Sequence, residues 1–167
     1  TAEHAIVQLG QQGGYIKPVM WHGLHFDERD ATNSDGIIFS GSDVAVPYWV
    51  YNKARNDATG ITLASLQPSV RQMEKDVERY ISEELHSCLA NYTAFTDQGF
   101  QISGGVLAPV VTFVPGSSRI SLEYPLKASR GTSQTTFRHF FTELNVDMLR
   151  FYELADCRKM SKIELDA

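Results

Sequence analysis

Cysteine, basic charge and long apolar runs are all scarce in this chain. Two cysteines in 167 residues exclude a disulfide-framed scaffold, because at most one internal bridge is available. Fifteen Lys and Arg against twenty Asp and Glu give a net charge of −5. Phosphate recognition needs a concentrated basic face, and the one cluster, Arg158-Lys159-Lys162, is small enough to be ordinary surface, which argues against a nucleic-acid role. No apolar run approaches the roughly 20 residues that cross a bilayer. The chain opens at Thr1 without the basic-then-apolar pattern of a signal peptide, and reads as a mature or excised piece. Metal clusters of recognisable spacing, phosphate-cradling glycine loops and nucleophile motifs are missing too, so no specific reaction is legible.

What is present is a well-patterned core. A hydrophobic content of 43% with 11% aromatics is enough for one domain over 1–167 to bury a core without staples. A long amphipathic helix is expected from about Gln67, capped by Ser65 and with Pro68 in its first turn. Val70, Met73, Val77, Ile81, Leu85 and Cys88 recur at spacings of three and four and predict its buried stripe, Leu85 among the core anchors. Glu74, Lys75, Asp76, Glu78 and Arg79 fill the other face, which reads as solvated surface.

Four strands follow the break at Asp97–Gly99, with apolar residues on even numbers. Phe100 and Ile102 mark the first, Val106, Ala108, Val110 and Val114 the second, Ile120, Leu122, Tyr124 and Leu126 the third, Phe140, Leu144 and Val146 the fourth. Leu107, Val111 and Phe113 make the second strand apolar on both faces. Gly104-Gly105, Pro115-Gly116-Ser117-Ser118 and Ser129-Arg130-Gly131-Thr132 are turn chemistries at hairpin spacing. The expectation is an α+β fold, a long helix packed across a four-stranded antiparallel meander over 67–146, followed by a C-terminal helix within 147–160. Residues 1–66 are expected to form an irregular extension: a short helical stripe of Ala2, Ala5, Ile6 and Leu9 ended by Gly13-Gly14, a strand at Ile37-Ile38-Phe39, and the aromatic segment Pro47-Tyr48-Trp49-Val50-Tyr51.

Gln12-Gly13-Gly14-Tyr15-Ile16, Val46-Pro47-Tyr48-Trp49, the helix with Tyr80-Ile81 and Leu85…Cys88-Leu89, Gln98-Gly99-Phe100-Gln101-Ile102 and Tyr124-Pro125-Leu126 occur in that order. Their succession, covering about Ala2 to Ala155, resembles a family of uncharacterised exported proteins of small-genome archaea, in which a short membrane segment precedes this region. The resemblance implies an extracellular or cell-surface location and a membrane anchor outside this chain. It offers no catalytic or ligand residues.

The remaining candidates rest on residue type alone. His22 and His25 with Asp27 could converge on a metal, but residues three apart share a face only in a helical turn, which Gly23 disfavours. Tyr48, Trp49 and Tyr51 could form a ligand or partner surface, or equally an edge strand packed on the core. Cys88 and Cys157 allow one disulfide, while a buried thiol at Cys88 with Cys157 paired elsewhere is the alternative. Asn91-Tyr92-Thr93 is a glycosylation acceptor triplet in an exported protein. No cofactor is called for. The reading that follows is a non-catalytic exocytoplasmic domain of a cell-surface protein, structural or contacting another protein; the alternative is a small-ligand-binding or sensory ectodomain, which a sizeable apolar cavity would favour. A hydrolase is a distant third.

Overall fold

The computed structural model describes residues 2–17, 34–39, 41–42, 44–52, 63–89 and 92–156. They fall into two compact units, one holding the described residues of Thr1–Ala5 and Glu74–Ala167, the other those of Ile6–Met73.

Helix α1 (Ala2–Gln11) carries Ala5, Ile6 and Leu9 on its buried stripe. It ends as its glycines predict: Gly13 turns left-handed at φ 63°, and the Gly14 amide returns to the Leu9 carbonyl at 2.9 Å, satisfying carbonyls the helix leaves open. Gly14 is required twice over, since its φ is +91° and a Cβ there would lie 2.6 Å from Pro68 Cγ and 2.9 Å from Met73 Sδ. Strand β1 (Gly36–Ile38) pairs antiparallel with β2 (Ala45–Pro47), and β3 (Val50–Asn52) with β4 (Leu63–Ser65). The Gln12 side chain ties these pieces together, donating to the Ile16 carbonyl at 2.6 Å and accepting from the Ala45 amide at 3.4 Å.

Helix α2 spans Val70–Leu89. Its cap is Ser69 and not Ser65: Ser69 Oγ accepts from the Gln72 amide at 3.2 Å while Gln72 Oε1 accepts from the Ser69 amide at 2.7 Å, a reciprocal capping box. Met73, Val77 and Ile81 are buried. Glu74 and Glu78 are buried as well, contrary to the solvated face their spacing predicts. Glu78 Oε1 accepts from the Val111 amide at 3.2 Å and Glu74 Oε1 from the Phe113 amide at 3.0 Å. One turn of helix thus supplies two carboxylates to two outward amides of one strand, covering a sheet edge that would otherwise expose unpaired donors.

That strand is β6 (Ala108–Val114), in a sheet with β5 (Gln101–Gly104), β7 (Ser117–Arg130) and β8 (Ser133–Leu144). The four-stranded antiparallel sheet with the long helix against it is the expected architecture. Its layout differs at one connection: β5 and β6 do not pair with each other, and both pair with the long β7, β5 along Leu126–Ser129 and β6 along Ser117–Glu123. Gly104-Gly105 is therefore an interruption between two collinear strands. It lies beside a shift in the β7–β8 register between Glu123 and Leu126, where Pro125 can donate no ladder bond. The shift places Phe137, not Thr136, opposite Leu126.

Along β7 the even register holds: Ile120 and Tyr124 are buried, Arg119, Ser121 and Glu123 exposed. On β6 it is reversed. Val111 and Phe113 are buried while Val110 is 52% exposed, because Val111 sits opposite Ile120 and directly paired residues share a face. A short helix, α3 (Thr93–Thr96), precedes β5, and helix α4 (Met148–Ala155) follows β8. Asp147 caps α4 by accepting from the Arg150 amide at 2.9 Å, and its other oxygen accepts from the Gly116 amide at the β6–β7 turn at 2.8 Å.

Candidate functional site

The C-terminal half of α2 diverges from the pattern that its first half obeys. Leu85 and Leu89 are half-buried and Cys88 is exposed, so the stripe expected to be buried through Cys88 loses its cover after Ile81. Leu85 is a wall residue and not a core anchor. It and Leu89 line an apolar groove of about 720 Å³ with Tyr92, Phe95, Gln98 and Phe100 from the α3 region, Ile102 of β5, Leu122, Tyr124, Leu126 and Ala128 of β7, and Phe137 and Phe140 of β8. Two of the cross-strand pairs, Leu122 with Phe140 and Leu126 with Phe137, lie on either side of the β7 register shift. The shift thus puts aromatic rings into the groove at both positions.

Polar groups on this lining are few. The hydroxyls of Tyr92 and Tyr124 hydrogen-bond each other, and Gln98 Nε2 donates to the Ala94 carbonyl at 2.7 Å, leaving its oxygen as an acceptor. Burial, then the hydrogen bond to Tyr124, pushes the Tyr92 phenol up to about 12, so Tyr92 is uncharged at neutral pH. Tyr92 is, among the described residues, the one non-glycine residue with positive φ, at 62°. That conformation costs on the order of 1 kcal/mol or more and persists only where the surroundings enforce it. Gly104 leaves room for the two hydroxyls: a Cβ there would stand 2.1 Å from the Tyr124 hydroxyl oxygen and 2.9 Å from that of Tyr92. A small cleft lined by His86, Leu89, Gly104 and Gly105 reaches the same two tyrosines. The hydroxyl pair therefore faces both the apolar groove and a polar mouth. Beyond it, the Arg130 guanidinium covers the Phe100 ring at 5.2 Å.

The residues singled out from sequence lie elsewhere. Tyr48, Trp49 and Tyr51 are half-buried in the other unit and do not line the groove; the Trp49 indole N–H donates to the Gly13 carbonyl at 2.8 Å, which gives that ring a structural task at the end of α1. His22, His25, Asp27, Asn91 and Cys157 lie outside the described residues, so their proposed ligation, glycosylation and pairing do too. Among the described residues no group of three His, Cys, Asp or Glu side chains is placed to hold a metal, and no helix is long and apolar enough to cross a membrane. The groove itself carried no motif, since Leu and Phe at strand spacing read as core. Gly104 was visible only as turn chemistry.

Comparison of the chain with protein-family models, with curated proteins and with solved structures found no match.

Proposed function

We propose that this chain is a non-catalytic binding domain for a small amphipathic molecule with an aliphatic or aromatic body and an uncharged hydrogen-bonding head, such as a long-chain alcohol. The observation that carries the reading is the groove of about 720 Å³ whose polar equipment is confined to one tyrosine pair and one glutamine. Such a volume is ordinary for small-molecule sites, where apolar walls supply affinity and a few fixed polar groups supply orientation. The body would lie along Leu85, Leu122, Leu126 and Phe137, and the head would meet the Tyr92–Tyr124 hydroxyls at the mouth. An uncharged Tyr92 hydroxyl suits an uncharged head, because a buried ionised group would need a partner that this lining does not supply. An extracellular or cell-surface setting is proposed on the sequence resemblance alone.

Calorimetric titration with a long-chain alcohol tests the reading. Saturable binding with a negative heat-capacity change is expected. Leu85→Ser should weaken it about tenfold by removing one apolar wall contact. Tyr92→Phe should weaken it by about fivefold, the worth of one hydrogen bond. Absence of saturable binding, or binding indifferent to both substitutions, would overturn the assignment.

A further inference from the structure

The Tyr92–Tyr124 pair borders two cavities. On one side lies the apolar groove, and on the other a cleft of about 230 Å³ bounded by His86, Leu89, Gly104, Gly105 and the same two phenols. Leu89, Tyr92 and Tyr124 line both, so the cleft adjoins the groove along those three side chains. His86 stands three residues before Leu89 on α2, a spacing that puts both on one helix face. The glycines keep the cleft open: a Cβ at Gly104 would run into the Tyr124 hydroxyl, and one at Gly105 would stand 3.3 Å from Pro125 Cβ. With two glycines and a leucine among the walls, His86, Tyr92 and Tyr124 are the side chains that can hydrogen-bond there.

Together they offer more than one hydroxyl can use. The phenols bond each other, which occupies one O–H and leaves the second to donate, with lone pairs open on both oxygens. An imidazole adds a separate bonding point, and His86 has no hydrogen-bond partner among the described residues. A hydroxyl is about the size of one water, roughly 30 Å³ in the liquid. The head of a simple alcohol would therefore leave most of the cleft, and the imidazole, to solvent.

We propose that the cleft is a head-group subsite for a vicinal diol, and that His86 is the residue that distinguishes a diol from a simple alcohol. The inference rests on the groove reading and narrows it: the ligand is an alkyl chain ending in two adjacent hydroxyls, as in a glycerol monoether. One hydroxyl pairs with the phenols, and its neighbour crosses the space left by Gly104 and Gly105 to the imidazole. Each hydroxyl both donates and accepts, which answers a wall that mixes donors with acceptors.

Calorimetric titration with decanol, and with the decane diol whose hydroxyls sit on its first two carbons, tests the inference, because the ligands share a chain and differ by one hydroxyl. The wild-type chain should bind the diol about fivefold more tightly, the worth of one hydrogen bond. His86→Ala, at an exposed helix position, should leave the circular dichroism spectrum unchanged and bring the ratio of the two dissociation constants to about one. His139→Ala, an exposed histidine outside both cavities, should keep the ratio. Saturable decanol binding without a preference for the diol, or a preference that survives His86→Ala, would overturn this inference and leave the groove reading standing. Failure of both ligands to bind would overturn the groove reading and this inference with it.

Discussion

Gly104 lacks a side chain where two phenols meet, and the absence is what allows them to meet. Gly104→Ala should separate the Tyr92 and Tyr124 hydroxyls, because its Cβ would fall 2.1 Å from one of them; loss of alcohol binding with the fold retained, read by calorimetry and circular dichroism, is the expected outcome. Tyr92 adds a pH signature. Its pKa rises from 10.0 to about 12 on folding, so over that window the folded chain holds a proton that the unfolded chain has released. The stability this confers is complete below pH 10 and is lost as pH climbs toward about 12. Tyr92→Phe should flatten that alkaline decline, measured by denaturant unfolding alongside tyrosinate absorbance. On α2, Ile81 is buried and Leu85 half-buried. Ile81→Ala should therefore cost roughly 2 to 5 kcal/mol, and Leu85→Ala distinctly less. Equal losses would return Leu85 to the core.

At the level of elements, how much the sequence discloses depends on whether the deciding contact is local. The face of β7 was legible because Arg119, Ser121 and Glu123 alternate with Ile120, Leu122 and Tyr124 inside one strand. The face of β6 was not, since Val110, Val111, Phe113 and Val114 are apolar at both parities and only the pairing of Val111 with Ile120 decides between them. Likewise Glu74 and Glu78 read as a repulsive pair on a wet surface until the amides of Phe113 and Val111 are set beside them. Glu78→Gln keeps an acceptor and should be tolerated, whereas Glu78→Leu leaves a buried N–H unpaired and should cost about 1 to 3 kcal/mol in unfolding free energy. A loss of the same size from both would mean that the charge, not the hydrogen bond, stabilises this edge.

Over the molecule as a whole, the architecture was accessible from periodicity and the groove was not. A cavity arises where a helix stripe outlasts the sheet that covers it, as α2 does beyond Ile81, and its lining of Leu, Phe, Ile and Tyr is the same alphabet that builds a core. Assembling it takes four separate segments of the chain, whose convergence no local pattern encodes. A methyl-resolved NMR titration with a long-chain alcohol tests the ligand-binding account most directly. The account predicts saturable shifts at the methyls of Leu85, Leu89, Ile102, Leu122 and Leu126, with Val106 and Val110, exposed but outside the groove, unmoved. Shifts spread evenly over all exposed apolar residues, or none at the groove, would contradict it.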